Sequence, residues 1–300
     1  MSAAPLKPAS AHALLHFTVF IWGFTAILGR SISISAVPLV WYRLVFVLPI
    51  MAGLIWVNRV GFRAKARTVW AWLGIGVLVA LHWLMFYGCI KYAGVAVAVL
   101  CLSSNTFFTA LFEPVVFRRR VVVGELLIGA AVVVGVAMIV RFETHANGLG
   151  LALGLGSSLF SAAFGTLNGI FAKDEPSQRV TLYELSSATV VTSLTFLLWP
   201  ADFVSPLALS LKDFAMLLVL SVVCTVLPWQ WSLRILKTLS PYTLALAVSL
   251  EPVYSMALAY VLFPDSEQLT GRFYLGAAVL VLLVLMNSRM KRTAPAAIET

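Results

Sequence analysis

Charged residues are scarce in this 300-residue chain. Only 11% of the residues are Asp, Glu, Lys or Arg, whereas 61% are hydrophobic and the mean hydropathy is +0.97. A soluble domain carries roughly 25% charged and 45–50% apolar residues, and a folded soluble protein of this size must expose a large exterior to water. The composition therefore excludes a soluble globular protein and predicts an all-α integral membrane protein.

Cysteine is also rare, and motifs for metals and nucleotides are missing. Cys89, Cys101 and Cys224 lie in apolar runs, without a C-x-x-C neighbour or a histidine at metal-ligand spacing. No phosphate loop and no H-E-x-x-H occurs. An ATP-driven pump within this chain is excluded, and we expect no metal, no cofactor and no catalytic residues. An intramembrane hydrolase stays open as an alternative, because serines and His82 occur in the apolar runs. A channel is disfavoured, since no continuous polar path is present.

Ten apolar segments are long enough to cross a bilayer, which needs about 20 residues per helix. The breaks between them carry turn or charge signals, such as Ser240-Pro241, which is typical of an N-cap with proline at the first helical position. The segments are residues 13–30, 36–57, 69–91, 94–117, 122–141, 149–171, 180–199, 213–233, 239–263 and 268–288.

The net charge of +9 does not indicate nucleic acid, because the basic residues sit in short gaps between apolar runs. Of the 21 Lys and Arg residues, fifteen fall on the side of the N-terminus, five fall on the other side, and Arg43 lies within the membrane. Loops facing the cytoplasm are enriched in Lys and Arg. We therefore predict that both termini are cytoplasmic.

The two halves of the sequence repeat. Lys91 through Leu100 resembles Lys237 through Leu246 at an offset of 146 residues, and other matches occur at offsets of 142 and 147. The halves, residues 1–147 and 148–300, hold five segments each, so the second repeat is inverted relative to the first. Many secondary transporters share this plan and bind their solute near the membrane midplane, between the repeats. The pattern predicts alternating access around a midplane cavity.

Several motifs resemble those of the drug/metabolite transporter superfamily, specifically its ten-helix, EamA-like members. They are Trp22-Gly23, the stretch from Ala93 to Leu100, Leu250-Glu251-Pro252-Val253, Leu269-Thr270 and Gly276. The chain departs from the family at Arg118-Arg119-Arg120, where a Gly-Glu pair is usual. The aromatic content resembles that of bacterial aromatic amino-acid exporters. The resemblance implies export of small organic solutes, especially aromatic or neutral amino acids, from a bacterial inner membrane.

Polar residues within apolar segments are expensive and often functional. Glu251 and Asn105 lie near the midplane of the ninth and fourth segments and correspond at the offset of 146. Together with nearby aromatic residues, they predict a cavity for an apolar or aromatic solute with a polar handle. Each residue also has a purely structural interpretation, such as packing or an interfacial belt. The candidate substrate-binding residues are Trp22, Trp41, Tyr42, Arg43, His82, Trp83, Tyr87, Asn105, Phe164, Tyr183, Glu184, Trp229, Glu251 and Tyr254.

Two prolines, one glutamate and two glycine motifs are predicted to have structural roles rather than solute contact. Pro228 and Pro252 remove helical hydrogen bonds and are candidate hinges. Glu113 is expected to face the loop and pair with the arginines that follow it. The motifs Gly150-x-x-x-Gly154 and Gly165-x-x-x-Gly169 predict close helix packing without solute contact. The expected partners are a small-molecule substrate, the lipid bilayer and protons as a coupling ion, with no nucleic acid and no obligate protein partner.

Overall fold

The computed structural model describes residues 6–143 and 148–262, together with Leu275, Ala278, Val279 and Leu282. Within these residues the chain forms helices joined by turns, and no strand occurs. The helices are α1 (Pro8–Ser31), α2 (Ala36–Val57), α3 (Ala66–Leu102), α4 (Asn105–Val116), α5 (Val123–Glu143), α6 (Gly148–Phe171), α7 (Ser177–Leu198), α8 (Leu211–Ser221), α9 (Leu227–Ile235), α10 (Pro241–Val248) and α11 (Glu251–Leu262).

Six stretches of the described chain are long and apolar enough to cross a membrane. They are α1, α2, α3, α6, α7 and the run from Leu211 to Ile235 that joins α8 and α9. The predicted segments up to residue 262 fall on helices. The predicted tenth segment, 268–288, and the charged residues Arg272, Arg289, Lys291 and Arg292 lie outside the described ranges.

Two of the long helices are interrupted at predicted positions. Gly94 has φ of 88° within α3, a conformation that only glycine adopts without strain, and it separates the predicted third and fourth segments. Between α8 and α9 the chain makes a π-helical turn, Val222–Val226, directly before Pro228. Such turns relieve the backbone where the regular hydrogen-bond ladder is broken. Ser240 caps α10 as expected, since its hydroxyl accepts from the Thr243 N–H.

Helix α3 lies at the centre and packs against α1, α2, α6 and α7. Small residues permit these contacts. Gly76 of α3 meets the backbone carbonyl of Glu184 on α7, where any side chain would collide. A Cβ at Gly154 of α6 would lie 2.8 Å from the Cβ of Cys101. Close approach at small residues is the usual way in which membrane helices gain packing contacts. The expectation for Gly154 is confirmed.

The helices of the fourth and ninth segments are interrupted at equivalent positions. Between α3 and α4 the Ser104 N–H bonds to the Cys101 carbonyl at 3.0 Å, an i to i−3 bond. The Leu250 N–H bonds to the Ala247 carbonyl at 3.0 Å between α10 and α11, which is 146 residues later. The tighter turns place Asn105 and Glu251 at the first positions of α4 and α11.

Hydroxyl groups join the two interruptions to each other. The Thr106 and Ser249 hydroxyl oxygens lie 2.7 Å apart, and Thr106 also donates to the Ala245 carbonyl at 3.2 Å. Ser249 donates to the Ser103 carbonyl at 3.3 Å. In a low-dielectric interior, side-chain hydroxyls donate hydrogen bonds to the backbone carbonyls that an interrupted helix leaves without a partner. The two helix interruptions are therefore hydrogen-bonded to each other inside the bundle through Ser103, Thr106, Ala245 and Ser249, a contact that we call the crossing.

Candidate functional site

A cavity of about 90 Å³ lies among α1, α3, α6, α9 and α10, at the level where α4 and α11 begin. Its wall combines aromatic rings with a small number of polar groups. The rings belong to Trp22, Trp83, Phe86, Phe164 and Trp229. The polar lining residues are Thr25, Arg43, His82, Asn105, Thr109, Ser161, Asn168, Ser232 and Glu251.

The aromatic rings contact one another in a continuous wall. Phe164 stacks on Trp229 with ring centroids 5.4 Å apart and an interplanar angle of 28°. Trp83 meets Trp229 edge to face, also at 5.4 Å. Offset-stacked and edge-to-face pairs of this kind are the favourable arrangements of aromatic rings. The wall gives the cavity a rigid apolar surface on which a flat solute can lie.

Arg43 brings a buried guanidinium to this wall. Its Nε donates to Thr225 Oγ1 at 2.6 Å, and its Nη1 donates to the Tyr87 hydroxyl at 2.9 Å. The third nitrogen, Nη2, lies 3.4 Å from the Cys224 carbonyl. These neutral partners fix the planar group, but they supply no opposing charge. The buried guanidinium therefore presents a positive charge to the cavity.

Glu251 supplies a carboxyl group to the same cavity and is only 3% exposed. The Glu251 carboxyl group is close enough to Arg43 for an electrostatic interaction, but among the described residues no nitrogen of Arg43 lies within 4.0 Å of a Glu251 oxygen. Its position at the start of α11, beside Pro252, follows from the interruption of the ninth segment. An acidic group and a basic group thus face one cavity without neutralising each other directly.

Neutral polar side chains complete the lining. His82 Nδ1 lies 2.9 Å from both the carbonyl and the hydroxyl oxygen of Ser157. Asn105 donates to the Ser161 hydroxyl at 3.1 Å and accepts from Thr109 at 2.9 Å. These bonds orient the side chains from α3, α4 and α6, so the polar groups of the wall are positioned before any solute arrives.

Eight of the fourteen predicted residues line the cavity. They are Trp22, Arg43, His82, Trp83, Asn105, Phe164, Trp229 and Glu251. Tyr87 and Glu184 lie one layer behind them: Tyr87 bonds to Arg43, and Glu184 accepts from Trp229 Nε1 at 3.0 Å. Whether any of these residues binds solute stays a prediction.

The other four predicted residues lie away from the cavity. Trp41 donates to Ser193 at 2.9 Å, and the Tyr42 hydroxyl donates to the Val204 carbonyl at 2.6 Å. The Tyr183 hydroxyl donates to the Phe62 carbonyl at 3.1 Å. Tyr254 packs against Phe20. Helical rotation turns these side chains toward neighbouring helices and loops, so they do not line this cavity, and a role for them in solute binding stays a prediction.

The cavity is also lined by residues of α6 that are absent from the predicted substrate-binding set, among them the polar Ser161 and Asn168. Ser161, Gly165 and Asn168 follow one another along α6 at spacings of four and three residues, which is one helix face. This periodicity could have been found in the sequence. The expectation that Gly165 serves only packing was wrong, because a Cβ there would meet no atom within 4 Å and would point into open space at the cavity.

A charged network ties the helices together on the side of the bundle where α1 begins. Arg119 contacts Glu125 at 2.6 Å and Glu113 at 3.3 Å. Glu113 also accepts the backbone N–H of Tyr242, at the start of α10, at 2.7 Å. Burial lowers the pKa of Arg119, but the two carboxylates more than compensate and raise it above its usual value. The predicted pairing of Glu113 with an arginine of the following loop is confirmed, and the glutamate makes this contact from a buried position.

On the opposite side, Asp213 holds the turn between α1 and α2. Its carboxylate accepts the backbone N–H of Ser33 at 2.8 Å and also the Ser33 hydroxyl. Ser210 donates to it at 2.9 Å, and Lys91 Nζ donates to the neighbouring Ile32 carbonyl at 2.6 Å. Polar contacts thus join the loops at both ends of the bundle, with the cavity between them.

Among the described residues, no three His, Cys, Asp or Glu side chains come together as metal ligands.

Comparison with known proteins identifies the family. One solved protein, described only as "Crystal structure of protein", superposes with a TM-score of 0.72 over 94% of this chain and 99% of its own, at 16% sequence identity. That likeness shows the fold alone. No curated protein matches the chain. The sequence model of the EamA-like transporter family matches residues 9–141 and again residues 148–289. These two matches span most of the sequence, and the chain therefore belongs to the EamA-like transporter family, membrane proteins that carry small solutes.

Proposed function

We propose that this protein is a secondary transporter that exports aromatic or neutral amino acids, or closely related metabolites, by alternating access around the central cavity. The observation that carries the proposal is the joint presence of Glu251, Arg43 and a wall of aromatic rings in one buried cavity. No observation favours the alternative of a membrane hydrolase.

The charges of the cavity complement those of a zwitterion. The Glu251 carboxylate suits an ammonium group, and the Arg43 guanidinium suits a carboxylate, which it binds with planar geometry. Both interactions are strengthened by the low dielectric of the buried site. The rings of Trp83, Phe164 and Trp229 offer stacking surfaces to an aromatic side chain. A cationic solute such as lysine would add a second positive charge for which the wall has no further carboxylate among the described lining residues.

The proposed mechanism uses two inverted five-helix repeats, residues 1–147 and 148–300, that rock against each other. The paired helix interruptions beside Asn105 and Glu251 are the natural points of bending, with Pro228 and Pro252 as hinges. The excess of Lys and Arg on the side of the N-terminus supports both termini in the cytoplasm of a bacterial inner membrane. Protons are the proposed coupling ion.

Uptake into proteoliposomes tests the substrate. The purified protein should give saturable uptake of labelled phenylalanine and tryptophan, which unlabelled aromatic amino acids inhibit and lysine does not. Glu251→Gln removes the charge proposed for the ammonium group and should raise KM for phenylalanine at least tenfold. Empty liposomes and the variant Glu125→Gln, whose carboxyl lies in the charged network rather than the cavity, serve as controls. If none of these amino acids is taken up above empty liposomes, the substrate assignment fails.

A further inference from the structure

A second buried carboxyl group lies directly behind the cavity wall. Glu184 on α7 is 0% exposed, and one of its oxygens accepts the indole N–H of Trp229 at 3.0 Å. Its other oxygen, Oε1, has no hydrogen-bond partner. The side chain of Asn168 lies beside this carboxyl, and Asn168 Oδ1 likewise has no donor. Two acceptor atoms therefore remain unsatisfied in the same buried region.

A proton completes this arrangement. An ionised carboxylate has only acceptor atoms, whereas a protonated one has an O–H that can donate. A carboxylate that is stabilised only by neutral groups, here the Trp229 indole and the Asn168 side chain, is strongly disfavoured in an apolar interior. When Glu184 is protonated, its O–H supplies a donor for Asn168 Oδ1, while the other oxygen still accepts from Trp229. Protonation of Glu184 therefore gives both unsatisfied oxygen atoms a hydrogen-bond partner, which they lack when the carboxyl group is ionised.

No described charged group near Glu184 offsets its ionisation. The carboxyl faces Trp229 from α9 and Asn168 from α6, and the backbone of α7 at this residue meets Gly76 from α3. The basic residue of α2, Arg43, directs its guanidinium to Thr225, Tyr87 and Cys224 instead. The tight contact at Gly76 holds the backbone of Glu184 close to α3.

We propose that Glu184 is the proton-binding site that couples proton movement to solute transport, separate from the solute cavity and joined to it through Trp229. This inference rests on the proposed transport function. Trp229 and Asn168 both line the cavity, and Trp229 stacks on Phe164. Glu184 releases its proton to water only when the cavity wall formed by Trp229 and Asn168 opens. It binds a proton again before this wall closes. One proton is thus released and one bound in each cycle, with the carboxylate as the transient form.

Infrared difference spectroscopy tests the protonation directly, without a solute. The wild-type protein in lipid at neutral pH should show the carbonyl stretch of a protonated carboxylic acid, and Glu184→Gln should remove that band. Glu251→Gln should leave it in place. Asn168→Leu should move the band to higher frequency, because the acid O–H loses its acceptor. Absence of the band in the wild type, or a band of unchanged intensity in Glu184→Gln, overturns the proposal whether or not a substrate has been found.

Transport measurements test the coupling. Gln at position 184 has the size of Glu and mimics the protonated acid, so the variant should fold. In proteoliposomes, Glu184→Gln should lose both the stimulation of uptake by a pH gradient and the release of protons on addition of phenylalanine. Counterflow exchange of labelled for unlabelled phenylalanine, which needs no net proton movement, should remain. A pH-gradient response that survives in Glu184→Gln overturns the coupling role, while loss of counterflow in the wild type would instead refute the proposed substrate.

Discussion

The guanidinium carbon of Arg43 lies 4.0 Å from the centre of the Trp83 ring. Trp83 in turn packs edge to face on Trp229, whose indole N–H is bound by Glu184. A buried positive charge and a buried carboxyl are therefore connected through two aromatic rings of the cavity wall. Cation–π contacts that are shielded from water are worth about 2 kcal/mol or more. These contacts join the two groups in one continuous set of packed side chains.

The planar guanidinium of Arg43 is predicted to stabilise the fold through its geometry as well as its charge. Arg43→Lys keeps a positive charge but cannot satisfy Thr225, Tyr87 and the Cys224 carbonyl together. The free energy of unfolding should fall by about 2–3 kcal/mol, because hydrogen bonds from charged groups contribute about 1.5–3 kcal/mol each. Equilibrium unfolding in mixed detergent micelles measures this loss. Arg59→Lys, on an exposed turn, is the control, and equal stability of the two variants would contradict the prediction.

The crossing of the two helix interruptions should behave as one coupled unit. Thr106→Val and Ser249→Ala each remove a partner of the 2.7 Å hydroxyl contact. Their effects on unfolding should be non-additive by about 0.6–1.7 kcal/mol, which lies between the average and the maximum coupling found for hydrogen bonds between membrane helices. A double-mutant cycle gives the coupling energy. Thr189→Val breaks only a bond within its own helix, and its effect should add to that of Ser249→Ala. Additive effects of Thr106→Val and Ser249→Ala would show that the crossing contributes no coupling.

Filling the cavity should block transport without unfolding the protein. A side chain at Gly165 would enter open space at the cavity, so Gly165→Leu should abolish uptake of phenylalanine while the unfolding temperature stays within a few degrees of the wild type. Gly74 also has no atom within 4 Å of a built Cβ, but it lies on an exposed face of α3. Gly74→Leu is therefore the matched control and should transport normally. Normal uptake by Gly165→Leu would mean that the solute passes elsewhere.

Glu113 is predicted to stabilise the start of α10 and the turn between α4 and α5 together. Glu113→Ala removes the 2.7 Å hydrogen bond from the Tyr242 N–H and one of the two carboxylates on Arg119. The loss of a buried charged partner should lower the free energy of unfolding by about 1–3 kcal/mol. Glu113→Gln keeps an acceptor and should lose less. Limited proteolysis at Arg119 reports on the turn, and equal cleavage of the Ala variant and the wild type would argue against this role.

Much of the architecture was predictable because it depends on local chemistry. Apolar runs of about 20 residues must form helices in a bilayer, where every backbone hydrogen bond has to be made internally. The bend at Gly94 follows from the freedom of glycine, and the start of α10 follows from Ser240 as its cap. Asn105 and Glu251 correspond at an offset of 146 residues in the sequence. Each is the first residue of a helix that follows an interruption, and both line the cavity.

The tertiary structure decided which face of each helix points inward. A helix that is apolar all round carries no polar stripe to reveal its rotation, and in lipid the rotation is set by packing. For this reason the sequence could not distinguish Trp83, which lines the cavity, from Trp41, which bonds to Ser193 outside it. Nor could it separate Glu251 at the cavity from Glu184 behind it, since both are single carboxyls in apolar segments. The sequence by itself determined the class of protein and the helices up to residue 262, whereas the site depends on contacts between residues distant along the chain.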